Sequence, residues 1–124
     1  MKKTTFHEFD PAIYPVKLWI SITNDLGAIK EKFKLYPSQQ EISINFSQKD
    51  ALAGLVYHIE NKKIGVLIVF ESKKCCTIEN IAHECYHAVD EIWKHLSEEY
   101  WGSEATAYLI GWMADCCWKV KTRK

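Results

Sequence analysis

Apolar and β-branched residues dominate positions 14–23, where Val16, Leu18, Ile20 and Ile22 share one side of an extended chain, and this spacing predicts a strand. Asn24 or Asp25 can cap a short helix to about Phe33, in which Leu26, Ile29 and Phe33 recur at helical steps, and Pro37 lies beyond its end. Over 41–46, Ile42, Ile44 and Phe46 alternate with Ser43 and Asn45, which predicts a short half-buried strand or an extended connection. Two strand-like runs, 53–60 and 63–70, flank Asn61-Lys62 and read as a hairpin. The period then changes. Ile78, Ile81, Ala82, Cys85, Val89, Ile92 and Leu96 form one helical stripe with capping from Thr77 and Asn80, so a long helix is expected over 77–96. Past Gly102, Ser103 is the expected cap of a last helix, with Ala105, Leu109, Trp112, Met113 and Cys116 at three- and four-residue steps.

Strands and one helix followed by two helices imply an α+β domain. A chain of 124 residues has room for one core, and no linker, repeat or low-complexity segment divides it, so positions 1–124 are read as one domain. At 48% apolar and 26% charged, the composition is that of a folded globular protein. Sixteen basic residues balance sixteen acidic ones, which leaves no overall field to attract nucleic acid or an anionic membrane. Lys119, Lys121, Arg123 and Lys124 are read as a solvated end. The start has no apolar stretch of the signal-peptide type, and no run approaches the ~20 residues of a spanning helix. Five cysteines, four of them in the adjacent pairs Cys75-Cys76 and Cys116-Cys117, lack metal-ligand C-x-x-C spacing and fit a reduced compartment; a cytoplasmic location is the expectation.

Chemistry concentrates in the long helix, where His83-Glu84-Cys85-Tyr86-His87 is an H-E-x-x-H pattern. Residues four apart stand one above the other on a helix, so two imidazoles at that spacing can meet one zinc ion. Glu84 follows the first ligand and is placed to act as general base toward the water that such an ion activates for amide hydrolysis. The pattern therefore predicts a zinc metallopeptidase that cleaves a peptide or protein substrate.

Two histidines leave a catalytic zinc site one protein ligand short. The metzincin arrangement needs Gly and His where this chain has Asp90 and Trp93. His95, eight residues past His87, is more than two turns away and is read as a surface histidine. Glu104 is the favoured third ligand: an antiparallel helix pair could return it toward His83 and His87, and Ala107 and Gly111 would permit close approach. Glu98, Glu99 and Asp115 are weaker alternatives. Asp90 could orient a ligand imidazole, and Tyr86, Tyr100, Tyr108 or His58 could donate to an oxyanion. The tryptophans and Cys85 are read as packing.

H-E-x-x-H on one helix with a glutamate from the next resembles the gluzincin branch of zinc metallopeptidases, and the small size is similar to minimal zincins of phages and mobile elements. The resemblance, carried by positions 77–117, implies a zincin-like fold: a small twisted, mostly antiparallel sheet packed on the active-site helix, followed by a second, ligand-bearing helix. It also implies an edge strand that receives extended peptide by strand addition. The rival expectation is a catalytically inactive binding or assembly module that keeps the fold and the metal.

Overall fold

The computed structural model describes residues 4–12, 14–96 and 102–123. Five strands, β1 (His7–Phe9), β2 (Lys17–Ile22), β3 (Phe33–Leu35), β4 (Ala51–His58) and β5 (Lys63–Phe70), form one sheet in the order β1-β2-β5-β4-β3. The β2–β5 pairing is parallel and the other three are antiparallel, so the sheet is mixed. Helix α1 (Leu26–Lys32) lies between β2 and β3 in the chain, and α2 (Ile78–Leu96) and α3 (Ser103–Thr122) follow the last strand.

Alternation along β2 divides the core in two. Val16, Leu18 and Ile20 join Val66, Ile68 and the buried stripes of α2 and α3 in the larger cluster. Trp19, between them in sequence, faces the other way and packs with Ile29, Phe33, Ile42 and Val56 in a smaller cluster beside α1. Gly65 stands opposite Lys17 where β2 and β5 begin to pair, and a Cβ there would run into the Lys17 backbone. The two strands can approach only because this position carries no side chain.

Local chemistry sets the helix ends. The Asp25 carboxylate accepts from the Ala28 N–H at 3.1 Å and starts α1, and the Thr77 hydroxyl accepts from the Asn80 N–H at 3.0 Å and starts α2. Ser103 does not cap α3. It is the first helical residue, and Gly102, with φ of 100°, occupies the capping position in a backbone region that glycine adopts without strain.

Other differences from the expected elements share one cause, the short reach of local pattern. Phe33 ends α1 as expected, as its C-cap with the N–H donated to the Ile29 carbonyl, but it also opens β3, paired opposite His58, which local pattern did not predict. Of the two expectations for 41–46, a short strand or an extended connection, the structure has the second: Glu41 makes an isolated bridge to Lys34, and Ile42 and Phe46 pack in the smaller cluster. The hairpin starts at Ala51, and its connection is the four residues 59–62, closed by the Lys62 N–H on the His58 carbonyl at 2.8 Å. No helix among the described residues is long and apolar enough to cross a membrane.

Candidate metal centre

Helix α2 buries Ile81, Cys85, Ala88, Val89, Ile92 and Trp93 against the sheet and α3, which fixes its rotation. That rotation turns His83 and His87 outward. Their Nε2 atoms lie 3.2 Å apart, with ring centroids 4.7 Å apart and planes inclined at 70°. Two nitrogens bound to one tetrahedral zinc at about 2.0–2.1 Å are separated by ~3.3 Å, so the pair fits two adjacent coordination positions. Glu84 brings Oε2 to 4.0 Å from the His83 Nε2, and its side chain is only 12% exposed against 63% for His83. The carboxylate thus stands at the edge of the histidine pair, largely sheltered from bulk water.

These residues border a cleft of about 700 Å³, with α2 on one side, the first residues of β4 on another and parts of segment 43–50 as the outer wall. The wall is held by Asn45, whose side chain accepts from the Ser47 N–H at 3.0 Å and whose carbonyl accepts from Gln48 and Lys49.

The β4 border has a free edge. On the β3 side, the Ile59 N–H donates to Lys32 and the Tyr36 N–H donates to Leu55; on the β5 side, the Glu71 N–H donates to Asp50. Backbone groups alternate in direction along a strand, so Ala51 and Ala53 aim N–H and C=O away from β5, past the end of β3. This edge was not singled out in the sequence. Its signal is the run Ala51-Leu52-Ala53-Gly54, whose small residues alternate with or follow one leucine and leave the backbone open.

The expected third ligand is not brought to the pair. Glu104 is exposed and lines a separate depression with Ala107, Tyr108, Gly111 and Trp112. The reason is length. Helix α2 runs on from Ala88 to Leu96 after His87, carrying the chain ~13 Å along its axis at 1.5 Å per residue. Glu104 is only the second residue of the returning helix. The antiparallel register agrees: Trp93 donates to Thr106 at 2.8 Å, and Cys85 approaches Cys117 with sulfurs 3.9 Å apart, so the part of α3 level with the motif lies around Cys117, more than three turns beyond Glu104. Asp115, in that part, is exposed and paired with Lys119 at 3.1 Å. Glu98 and Glu99 lie outside the described residues. Among the described residues no group of three His, Cys, Asp or Glu side chains is assembled to hold a metal.

The supporting residues sort in the same way. Asp90 pairs with Lys94 at 3.0 Å rather than with a motif imidazole. His95 is half-buried, edge-on to Tyr36 at 5.7 Å, and is not a surface histidine. His58 packs with Trp19 and Phe33, away from the motif, and Tyr108 stands on α3 beside Glu104. Tyr86 lies beside His87 with centroids 5.7 Å apart, while Tyr100 is outside the described residues. The five cysteines are unbridged; burial pushes the Cys76 and Cys116 thiols up to about 11, which keeps them protonated and inert as packing groups.

Comparison with known proteins returns no matching family model, no similar curated protein and no similar solved structure.

Proposed function

We propose that this protein is a zinc-dependent metallopeptidase of zincin-like build, with His83 and His87 as metal ligands and Glu84 as general base. One observation carries the reading: two Nε2 atoms converge to 3.2 Å beside a sheltered carboxylate, in a cleft that runs along a free strand edge. Zinc held there would supply a Lewis acid and a water of lowered pKa. Glu84 would take the proton from the attacking water and deliver it to the departing amine. The outward N–H and C=O groups of Ala51 and Ala53 would hold the substrate backbone extended across the histidines, which orients the scissile carbonyl without reading side chains.

A metal-binding assembly module would show the same histidine pair, so the test must separate binding from turnover. Zinc content of purified wild type is expected at one ion per chain, abolished in His83→Ala and His87→Ala and retained in Glu84→Gln. Cleavage of a mixed peptide library by wild type, lost in Glu84→Gln, completes the enzyme assignment. Full zinc content with no cleavage under any condition would leave the module, and no zinc in reconstituted wild type would end both readings.

A further inference from the structure

The outer side of α3 carries an order that the fold does not use. Glu104, Tyr108, Gly111, Asp115, Trp118 and Thr122 are all exposed and recur at alternating steps of four and three residues, the spacing of a seam at which two helices meet. Two of them are large aromatic residues, and Glu104, Tyr108 and Gly111 border an open depression of about 550 Å³. Lys121 lies over the Trp118 ring at 4.9 Å. A glycine in the middle of a helix lowers its stability relative to alanine. Nothing among the described residues explains Gly111, since a Cβ there would meet no atom within 4 Å. The missing side chain leaves room for something that approaches α3 from outside.

The charges on this side fit a second copy of the same helix. Acid stands at the amino end, where Glu104 makes no ion pair among the described residues. Base stands toward the carboxyl end, where Lys119 pairs with Asp115 at 3.1 Å. When two copies meet antiparallel and cross near Gly111, Tyr108 of each falls against Asp115 and Trp118 of the second copy, and Glu104 falls against Lys119 and Thr122. Two-fold symmetry makes each of these contacts twice. A parallel pair would instead set Glu104 on Glu104 and Lys119 on Lys119. With sixteen basic and sixteen acidic residues, the chain has no net charge to hold copies apart. No residue of α3 borders the cleft of the histidine pair, so pairing on this side does not fill that cleft.

We propose that the outer side of α3 is the interface of a weak antiparallel homodimer, in which Tyr108 packs against Asp115 and Trp118 of the second copy and Glu104 pairs with its Lys119. This interface is independent of the peptidase reading above. The 20 residues of α3 span ~30 Å. A strip about 10 Å wide along that length on each copy amounts to on the order of 600 Å² in all, below the ~1,200 Å² at which stable complexes begin. A dissociation constant on the order of 10⁻⁴ M is therefore expected.

Sedimentation equilibrium of the full chain tests this between about 10 µM and about 1 mM, with chelator present so that no metal bridges the copies. The expected result is a mass that rises from one chain toward two across the range. Tyr108→Ser and Glu104→Lys should each weaken the dimer by about tenfold or more, with the circular dichroism of wild type retained. Adding Lys119→Glu to Glu104→Lys should recover most of that loss, because the two charges again attract across an antiparallel pair. A single-chain mass up to about 1 mM would overturn the homodimer and leave this side of α3 to an unlike partner. A dimer that survives both single substitutions, or that the double substitution does not recover, would overturn the interface and its antiparallel sense.

Discussion

Helices α2 and α3 have nearly the same length, 19 and 20 residues, yet their outer faces are unlike. α2 buries one apolar stripe, and its outer face carries His83, His87 and the Asp90–Lys94 pair together with the exposed Ile78 and Tyr86. α3 buries Leu109, Met113, Cys116, Cys117 and Val120, but its outer face also holds aromatic residues, with Tyr108 76% and Trp118 48% exposed. A helix whose burial is unambiguous fixes where its polar residues point. One that is apolar on most sides does not; His83 and His87 stand together at the spacing of one helical turn, while Glu104 lies away from them because α2 runs on past His87 to Leu96.

The contrast breaks most directly at Glu84. Glu84→Gln is expected to lower kcat by about 10²- to 10⁴-fold with zinc retained, because a general base is removed and the ligands are untouched. Steady-state kinetics together with metal content measure this. An equal loss of turnover and zinc would instead give Glu84 a role in holding the ion.

Substitution on the inner face of α2 should act on folding alone. Ile92→Ala, at a side chain 1% exposed, is expected to cost ~2–5 kcal/mol in urea denaturation, since it leaves a cavity in the larger core. Tyr108→Ser on the outer face of α3 should stay within ~0.5 kcal/mol of wild type. Gly65→Ala belongs with the first of these. It forces a methyl into the Lys17 backbone and is expected to cost at least ~1–3 kcal/mol. A small effect would mean that β2 and β5 can separate locally without loss elsewhere.

Glu104 tests the difference between the helices at the metal. Glu104→Ala is expected to leave zinc affinity within about tenfold of wild type, the lower end of what even a lost supporting partner costs. His83→Ala should abolish binding under the same conditions. Loss of zinc in Glu104→Ala, measured by competition with a chromophoric chelator, would require α3 to be drawn along α2 by several residues when the ion binds.

What the chain discloses before folding is uneven for identifiable reasons. β2, β4, β5, α1 and α2 were legible because each repeats its period several times and has a cap or turn at its end. β1 and β3 have three residues each, too few for a period, and they exist through pairing with β2 and β4. At the site, His83, Glu84 and His87 are local to two helical turns and were readable. The third position was not, although the length of α2 past His87 already argued against Glu104. The strand edge at Ala51 and Ala53 depends on where β3 stops, a non-local fact.

The smallest expected effect contrasts the histidines themselves. His58 lies 5.5 Å from the Trp19 ring and edge-on to Phe33 at 5.0 Å, and its Nδ1 accepts from the Asn61 N–H at 3.1 Å, closing the hairpin turn. Burial holds its pKa below 6.5, with smaller opposing contributions led by Glu60. The folded protein therefore binds fewer protons at His58 than the unfolded chain. Its contribution to stability is intact above pH 6.5 and is lost as the pH falls from there through the lowered folded-state value. His7 is shifted in the same direction by burial and by Arg123, so the total acid loss is not a measure of His58 alone. The difference between wild type and His58→Gln is. Urea denaturation with chelator present, compared between roughly pH 7.5 and 5.5, should show wild type losing more stability than His58→Gln. If both lose the same amount, acid sensitivity lies elsewhere, and the turn closed by His58 tolerates a protonated ring.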